Sequence, residues 1–324
     1  MKKLLSIVLA LCLLFTAGCT TKKAEPVSRS AALLDTVITV QIYDESKASL
    51  LDECIDLCSD YEKQLSRTME GSEIWNLNHS NGNPVTLSDD TVYLLKKGIE
   101  YSEFSNGLFD ITIGSVSDLW DFKNASPSLP SEENIREALS YVNYDLIEIS
   151  GNTVRLLDPH TIVDLGGLAK GFIADKLKEF LMDKGIKNGI INLGGNILTI
   201  GTKPDGSDYN IGIQKPFDQQ GAALTSVQTH DTSVVTSGIY QRYFQVDDKI
   251  YHHLIDPSTG YPCDNNLYSV SILTSSSLDA DALSTICFLS GLEEGLKIID
   301  SLEDTEAIFV TSDNALHYSK GLAK

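Results

Sequence analysis

Residues 243–255 read YFQVDDKIYHHLI. Two segments rich in aromatic and β-branched residues flank a short polar turn at residues 247–249, which is the pattern of a β-hairpin. Residues 146–157 repeat this pattern around a turn at Gly151 and Asn152. Such hairpins outnumber the strand-helix-strand crossovers that a parallel sheet would need. The sequence therefore predicts an α+β fold with mainly antiparallel sheets and packed helices.

The remaining elements follow from the spacing of apolar residues. Period-two alternation and β-branched runs predict strands at residues 36–43, 146–150, 153–157, 189–193, 197–201, 243–246, 250–255 and 268–274. Helical spacing predicts helices at residues 48–65, 89–105, 132–141, 169–183, 279–289 and 292–302.

The chain begins with a segment typical of export. Two lysines at residues 2–3 precede an apolar run over residues 4–15, which is too short to span a bilayer. The next residues, 16–19, read TAGC and resemble the lipobox of bacterial lipoproteins, with Thr16 in the place of the usual leucine. In a lipobox the cysteine, here Cys19, is lipidated. The alternative is a plain secretory signal with an incidental cysteine.

We therefore predict a lipoprotein signal peptide over residues 1–18, a lipidated Cys19 with a short tether to residue 32, and one catalytic domain over residues 33–324. Neither a low-complexity tract nor a fixed-period repeat marks a further boundary. The expected location is the bacterial cell membrane, where the lipid anchors an outward-facing domain.

Acidic residues dominate the composition, with 45 aspartates and glutamates against 25 lysines and arginines. This balance argues against nucleic acid as a partner and against electrostatic adhesion to anionic lipid. An acidic protein that handles a polyphosphate needs a local cation, so the balance also suggests a bound metal. The cysteines form no C-x-x-C zinc pattern. Buried free thiols are expected, and a bridge between Cys263 and Cys287 stays open.

Residues 163–171 read VDLGGLAKG and place Asp164, two glycines and Lys170 at the start of a predicted helix. Glycines let backbone N–H groups approach anionic oxygens, and a helix N-terminus adds a favourable partial charge. The spacing is not that of a P-loop or of a dinucleotide fingerprint. The segment suits a phosphorylated ligand, and the alternative is a tight turn with a solvated lysine.

Asp281, Ser284 and Thr285 share one face of a predicted helix, because they lie three and four positions apart. A carboxylate with neutral oxygens is the ligand set of a hard cation such as Mg²⁺. The alternative for these residues is helix capping and hydroxyl bonding to the backbone.

His252 and His253 end a predicted strand and precede a turn rich in proline and glycine, residues 256–262. Alternation places the two side chains on opposite faces of the strand, so they do not form a zinc pair. A general base is the more natural role, since histidine titrates near neutrality. A structural histidine is the alternative.

Together these segments resemble the ApbE family, the FAD:protein FMN transferases. The resemblance covers residues 33–302, and its blocks occur in the family order. They are residues 35–39, 72–74 with Asn78, 107–110 followed by 119–120, 164–171, 192–196, 236–238 with Tyr240, 252–262 and 281–285. A chance run of so many blocks at fitting intervals is implausible.

The resemblance implies that FAD is the substrate and Mg²⁺ the cofactor. Family members transfer the FMN part of FAD to a threonine or serine hydroxyl of a partner flavoprotein and release AMP. The metal would be held by Asp281, Ser284, Thr285 and the backbone carbonyl of Gly167. Positions that match FAD contacts are Leu34, Leu108, Phe109, Asp110, Asp164, Lys170, Leu254 and Ile255.

Attack on a pyrophosphate depends on charge neutralisation and positioning more than on covalent help. Mg²⁺ and Lys170 would therefore hold the phosphates while His253, or alternatively His252, deprotonates the incoming hydroxyl.

Two departures from the family pattern leave other functions open. Leu34 and Asp35 replace the usual methionine and glycine at the edge of the adenine or flavin pocket, and the segment before Ser72 lacks a frequent tyrosine. Because the latter region helps to decide between transfer and hydrolysis in related proteins, a FAD pyrophosphatase is one alternative. A non-catalytic flavin-binding lipoprotein is another, and the intact metal block argues against it.

Overall fold

The computed structural model describes residues 25–122, 128–218 and 221–323. Over these ranges the chain forms fifteen β-strands and seven α-helices. The strands, β1 to β15 in chain order, are Val27–Leu33, Thr36–Ile42, Val85–Thr86, Ile147–Ser150, Thr153–Leu156, Gly189–Leu193, Asn196–Ile200, Tyr209–Gln214, Ala223–Thr229, Ser233–Gly238, Tyr243–Val246, Lys249–His252, Leu267–Thr274, Glu306–Thr311 and Leu316–Tyr318. The helices, α1 to α7, are Leu50–Leu65, Glu73–Asn78, Asp89–Phe104, Gly114–Ser117, Glu132–Leu139, Ala169–Asp183 and Ser277–Asp300.

Eight strands form the main sheet in the order β1-β2-β6-β7-β10-β13-β14-β15. Every neighbouring pair in this sheet is antiparallel. The smaller sheets, β3-β5-β4, β8-β9 and β11-β12, are antiparallel as well. The predicted α+β class is therefore confirmed, together with the hairpins β4-β5 and β11-β12 from which it was predicted.

The main sheet is covered by helices on one face and by the β8-β9 hairpin on the other. Val235 in β10 packs with side chains of α7, whereas its neighbour Val234 packs with β8. The same alternation buries Ile38, Val40 and Ile42 of β2 completely in the largest core cluster, which includes side chains of α1 and α6. Each such aliphatic side chain stabilises the fold by about 1.5–3 kcal/mol.

Serine residues fix the starts of four helices. The hydroxyl oxygens of Ser72, Ser88, Ser131 and Ser276 each accept a hydrogen bond from the backbone N–H three residues later. A cap of this kind satisfies one of the N–H groups that the first helical turn leaves free. The predicted break between residues 289 and 292 also exists, because Gly291 interrupts α7 with a φ of 78°.

Strand β1 lies partly within the predicted tether over residues 19–32. Its residues from Val27 onward pair with β2 and so belong to the main sheet. The strand is an edge strand, and only Val27, Ala31 and Leu33 contact the core while the residues between them are mostly exposed. This polar composition suggested a tether. The signal peptide and Cys19 lie outside the described residues.

The cysteines within the described residues are free thiols, so the bridge that the sequence left open between Cys263 and Cys287 is absent from this part of the chain. Burial raises the pKa of the Cys287 thiol to about 12, and that thiol is therefore protonated at neutral pH. In the ranges that the structure describes, no helix is both long enough and apolar enough to cross a bilayer.

Helices α6 and α7 cross with almost no space between their backbones. A Cβ atom added at Gly171 would overlap the carbonyl group of Ser277. We therefore expect Gly171→Ala to lower the free energy of unfolding by about 2 kcal/mol, because the backbones must separate. Urea denaturation measures this change. Glu179→Ala, at an exposed position of the same helix, is the control. Equal stability of Gly171→Ala and wild type would contradict the close crossing.

Candidate functional site

Several turns meet at one end of the main sheet. Leu34 and Asp35, with φ angles of 56° and 55°, join β1 to β2. The turn between β6 and β7 contains Gly194, where a Cβ atom would collide with the side chain of Thr36. Strand β10 runs antiparallel to β7, so its last residue, Gly238, lies at the same end. These turns form one wall of the candidate site.

The second wall is the first part of helix α7, which carries a cluster of oxygen atoms. The Ser237 hydroxyl oxygen lies 2.7 Å from that of Ser284 and 3.2 Å from that of Thr285. Ser284 donates its own proton to the carbonyl oxygen of Asp281 at 2.9 Å. Ser284 and Thr285 therefore both face Ser237, which adds a further hydroxyl, while the shared role of Asp281, Ser284 and Thr285 as metal ligands stays a prediction.

This oxygen cluster fits a hard cation. Gly167 faces it, because a Cβ at Gly167 would lie 3.9 Å from the Thr285 hydroxyl oxygen. The carboxylate of Asp281, which is 4 % exposed, adds the negative charge. Within the described ranges, no three His, Cys, Asp or Glu side chains converge as a metal cluster. A cation here would thus rely on one carboxylate, neutral oxygens, and oxygens from water or a phosphate, which is the set that Mg²⁺ prefers.

Lys170 lies beside this carboxylate. Its ammonium nitrogen is 3.5 Å from Asp281 Oδ1 and 3.3 Å from the carbonyl oxygen of Gly166. The backbone N–H of Gly171 donates to the other carboxylate oxygen, Oδ2, at 3.0 Å. The start of helix α6 therefore holds Asp281 in one orientation and presents a lysine next to it, as a site for phosphate requires.

Asp164 is oriented by a residue that is distant in the chain. The guanidinium group of Arg67 pairs with Asp164 at 3.0 Å and with Asp118. Asp164 also accepts a hydrogen bond from the N–H of Gly166 at 2.8 Å, which closes the turn ahead of α6. The structure places the Asp164 carboxylate in this turn. Its contact with FAD stays a prediction.

Phe109 and Asp110 belong to the loop that faces Gly167. The Phe109 ring would contact a Cβ at Gly167, so the ring and the glycine loop lie against each other. The Asp110 carboxylate accepts from Thr112 at 2.6 Å and from the backbone N–H of Tyr144 at 3.1 Å. Burial raises the pKa of Asp110, while these bonds oppose the rise. Asp110 thus holds the loop in place, and its predicted contact with FAD stays a prediction.

His253 lies at the end of the β11-β12 hairpin, close enough to Lys170 for their charges to interact. Burial lowers the pKa of His253 to about 3, and the positive charges of Arg242 and Lys170 lower it further. The imidazole is therefore neutral at physiological pH. Its Nδ1 lies 3.3 Å from the carbonyl oxygen of Arg242. Because a carbonyl oxygen only accepts, Nδ1 carries the proton and Nε2 is left as a base.

His252 occupies a different environment and is corrected from a catalytic candidate to a core residue. It is 5 % exposed, its ring packs edge-on against Phe288, and its Nε2 donates to the carbonyl oxygen of Cys263 at 3.0 Å. Burial lowers its pKa to about 4. The physical reason is the alternation of side chains in β12, which turns His252 inward. His253 alone of this pair lies near Lys170 and Arg242.

The other predicted flavin contacts are apolar side chains around the site. Leu254 and Ile255 are each 5 % exposed and belong to two different core clusters, so they anchor the segment after β12 that contains His253. Leu34 and Leu108 are half-buried, and the Leu34 N–H donates to the Glu62 carboxylate at 2.6 Å. Their contact with FAD stays a prediction.

The sequence did not indicate three residues that shape the site. Arg67 holds Asp164, Ser237 adds a hydroxyl to the oxygen cluster, and the Arg242 carbonyl fixes the tautomer of His253. Ser237 lies in one of the blocks quoted above, and its position before a glycine at a strand end was the available signal. Arg67 and Arg242 act through tertiary contacts and carry no local signal.

Comparison with known proteins places this geometry in a family. The profile of the ApbE family matches residues 34–309. An FAD:protein FMN transferase of Klebsiella pneumoniae (strain 342) is 35 % identical over 289 residues, which is 88 % of this chain and 89 % of that protein. An FAD:protein FMN transferase of Treponema pallidum (strain Nichols) is 31 % identical over 316 residues, 91 % of this chain and 87 % of that protein.

Solved structures of ApbE proteins resemble this chain in fold. The ApbE protein from Thermotoga maritima superposes with a TM-score of 0.85 at 26 % identity and covers 92 % of this chain and 98 % of its own. The flavin transferase ApbE from Vibrio cholerae has a TM-score of 0.77 at 28 % identity, with 91 % and 96 % covered. The chain therefore belongs to the ApbE family.

Proposed function

We propose that this protein transfers the FMN part of FAD to a threonine or serine hydroxyl of an acceptor flavoprotein and releases AMP, with Mg²⁺ as the cofactor. One observation carries the proposal: Lys170 lies 3.5 Å from the Asp281 carboxylate, on the helix that presents the Ser284 and Thr285 hydroxyls, and its charge reaches the neutral imidazole of His253. These are a base, a phosphate-binding cation and a metal-binding group, which are the parts that attack on a pyrophosphate requires.

The residues that would hold Mg²⁺ are Asp281, Ser284 and Thr285 with the carbonyl of Gly167. When bound, the metal supplies positive charge that polarises a phosphoryl oxygen and offsets the charge of the pyrophosphate. The protein carries a formal net charge of −20, so this local neutralisation is needed before a polyphosphate can bind.

The chain's own residues would then act as follows. Lys170 binds a phosphate oxygen of FAD, and its contact with the Gly166 carbonyl oxygen holds the ammonium group at the glycine loop. Nε2 of His253 takes the proton of the acceptor hydroxyl, and the hydroxyl oxygen forms a bond to the phosphorus of the FMN half. The bond from that phosphorus to the bridging oxygen breaks, and the oxygen leaves with AMP. The products are a phosphoester-linked flavin and AMP.

One experiment tests this reaction against the alternatives. The purified domain is incubated with FAD, Mg²⁺ and a candidate acceptor flavoprotein, and AMP, free FMN and the acceptor mass are measured. The same acceptor with its target hydroxyl residue changed to alanine is the control. A gain of FMN mass on the intact acceptor alone, together with AMP, would support transfer. AMP with free FMN and an unmodified acceptor would instead identify a pyrophosphatase, and unchanged bound FAD would identify a flavin-binding protein.

We further propose that Cys19 is lipidated and that the lipid anchors the outward-facing domain to the bacterial cell membrane. Each buried CH₂ group of an acyl chain contributes about 0.8 kcal/mol, so a multiply acylated cysteine needs no additional anchor. We expect Cys19→Ala to move the protein from the membrane fraction to the soluble or unprocessed fraction. Cys54→Ala, at a buried thiol of the domain, is the control. Membrane association that survives Cys19→Ala would contradict the proposal.

A further inference from the structure

Helices α6 and α7 each use a carboxylate side chain to cap the N-terminus of the other helix. Asp281 of α7 accepts a hydrogen bond from the N–H of Gly171 in the first turn of α6, at 3.0 Å. In return, Asp175 of α6 accepts from the N–H groups of Ser277 and Leu278 in the first turn of α7, both at 2.9 Å. Each helix is thus capped by a side chain of the other, and each carboxylate meets the positive end of a helix dipole.

Asp175 completes the cap of α7. The N–H of Asp279 donates to the hydroxyl of Ser276 at 3.2 Å, and the N–H of Ala280 donates to the Ser276 carbonyl oxygen at 3.1 Å. The first two helical N–H groups, those of Ser277 and Leu278, have the Asp175 carboxylate as their acceptor. Asp175 is therefore the side chain of α6 that ties the first two N–H groups of α7 to α6.

The next turn of α7 carries the candidate metal site. Asp281 lies one turn beyond the capped N–H groups, and its carboxylate orientation is set by the Gly171 N–H. Gly171 itself packs against the backbone of Ser277, so the two capping interactions share one helix crossing. A shift of the α7 terminus would move Asp281 relative to Gly171 and Lys170.

The carboxyl group of Asp175 is half-buried where α6 and α7 meet. Partial burial raises the pKa of Asp175 to about 6, and the negative charge of Asp279 adds to the rise. The hydrogen bonds from the N–H groups of Leu278 and Ser277, and the positive charge of Lys178, oppose it. A carboxyl group whose pKa is higher in the folded than in the unfolded protein stabilises the fold at low pH, and this contribution is lost as the pH rises through the folded value. The protonated form of Asp175 therefore stabilises the fold more than the ionised form does.

We propose that Asp175 is a positioning residue that holds the N-terminus of α7 so that Asp281 and its neighbouring hydroxyls can bind the divalent cation. This inference rests on the proposed function, which assigns the cation to Asp281. Asp175 itself contacts neither the cation site nor the glycine loop, and it acts through the backbone of α7.

The test compares Asp175→Asn with Glu179→Gln. Both changes remove one negative charge from the same helix, but Glu179 is exposed and pairs only loosely with Lys176, at 3.9 Å. The dissociation constant of Mn²⁺ is measured by electron paramagnetic resonance on the purified protein without FAD. We expect Asp175→Asn to weaken Mn²⁺ binding by about tenfold or more, the usual effect of removing a group that orients a metal ligand. Glu179→Gln should leave the constant unchanged.

A second measurement uses the wild type, in case Asp175→Asn does not fold. If the cap supports cation binding, binding must support the cap to the same extent. Mg²⁺ alone should therefore slow amide hydrogen exchange in peptides that contain Ser277 and Leu278. If Asp175→Asn leaves Mn²⁺ binding unchanged, or if Mg²⁺ does not affect amide exchange, the positioning role of Asp175 is overturned while the metal proposal stands. Wild-type protein that binds no Mn²⁺ would overturn the metal proposal and this inference with it.

Discussion

The His253→Ala variant should bind FAD as the wild type does and transfer FMN about 10²- to 10⁴-fold more slowly, the range for a lost general base. The reason is the fixed tautomer of the imidazole, whose Nδ1–H donates to the Arg242 carbonyl oxygen and whose Nε2 is free to accept a proton. FAD affinity is retained because Lys170 and the oxygen cluster remain. Equilibrium binding and single-turnover transfer measure the two quantities separately.

Two control variants distinguish catalysis from folding. His160→Ala changes an exposed histidine outside the site and should leave the rate unchanged. His252→Ala removes a buried ring that packs on Phe288, and it should lower the thermal stability more than the rate. A collapse of FAD affinity in His253→Ala, with normal reaction of the fraction that still binds, would show that His253 is part of the flavin pocket instead.

The pH profile provides an independent check on the same residue. The neutral imidazole is the active form, so activity should rise with pH through the pKa of His253 and then level off. From the sequence alone that rise is expected near 6.5, the ordinary histidine value. Burial and the nearby charges of Arg242 and Lys170 lower this pKa to about 3. We therefore expect kcat/KM to show no His253-dependent rise above about pH 5. A rise near neutrality that disappears in His253→Ala would show that the half-buried imidazole keeps its ordinary pKa.

The features that could be predicted from the sequence are those with local causes. Helix α6 spans Ala169–Asp183, the predicted bounds, because its glycine turn and apolar spacing lie within one segment. The hairpin β11-β12 was equally recognisable from its polar turn. Strand β8 alternates cleanly, with Ile211 and Ile213 pointing inward, but it was missed because Asn210 and Gly212 on its exposed face are weak strand formers.

The features that could not be predicted are relations between distant segments. Arg67 reads as a surface arginine until the fold places it beside Asp164. Asp175 reads as one more acidic residue on an amphipathic helix, and its role becomes visible only when the N–H groups of Ser277 and Leu278 meet its carboxylate. For the two histidines, the sequence predicted opposite faces but could not say which face held Lys170.

Asp281→Asn should abolish most of the activity while the protein stays folded. Asparagine keeps an oxygen that can accept from the Gly171 N–H, so the link between α6 and α7 survives. What is lost is the full negative charge that the oxygen cluster offers to a cation. Stabilisation of the transferring phosphoryl group by a metal amounts to several kcal/mol, and a loss of about 4 kcal/mol corresponds to roughly 10³-fold in rate.

The matched control for this variant is Asp279→Asn, two residues earlier in the same helix. Asp279 accepts a hydrogen bond from the Tyr101 hydroxyl at 2.7 Å and takes no part in the oxygen cluster. Both variants lose one negative charge from α7, so any general electrostatic effect on FAD binding is common to them. Only Asp281→Asn should lower turnover at limiting Mg²⁺, and excess Mg²⁺ should restore it in part because the neutral oxygens remain. Full turnover of Asp281→Asn at limiting Mg²⁺ would contradict a metal site at Asp281, and stabilisation of the transferring phosphoryl group would then have to come from side chains such as Lys170.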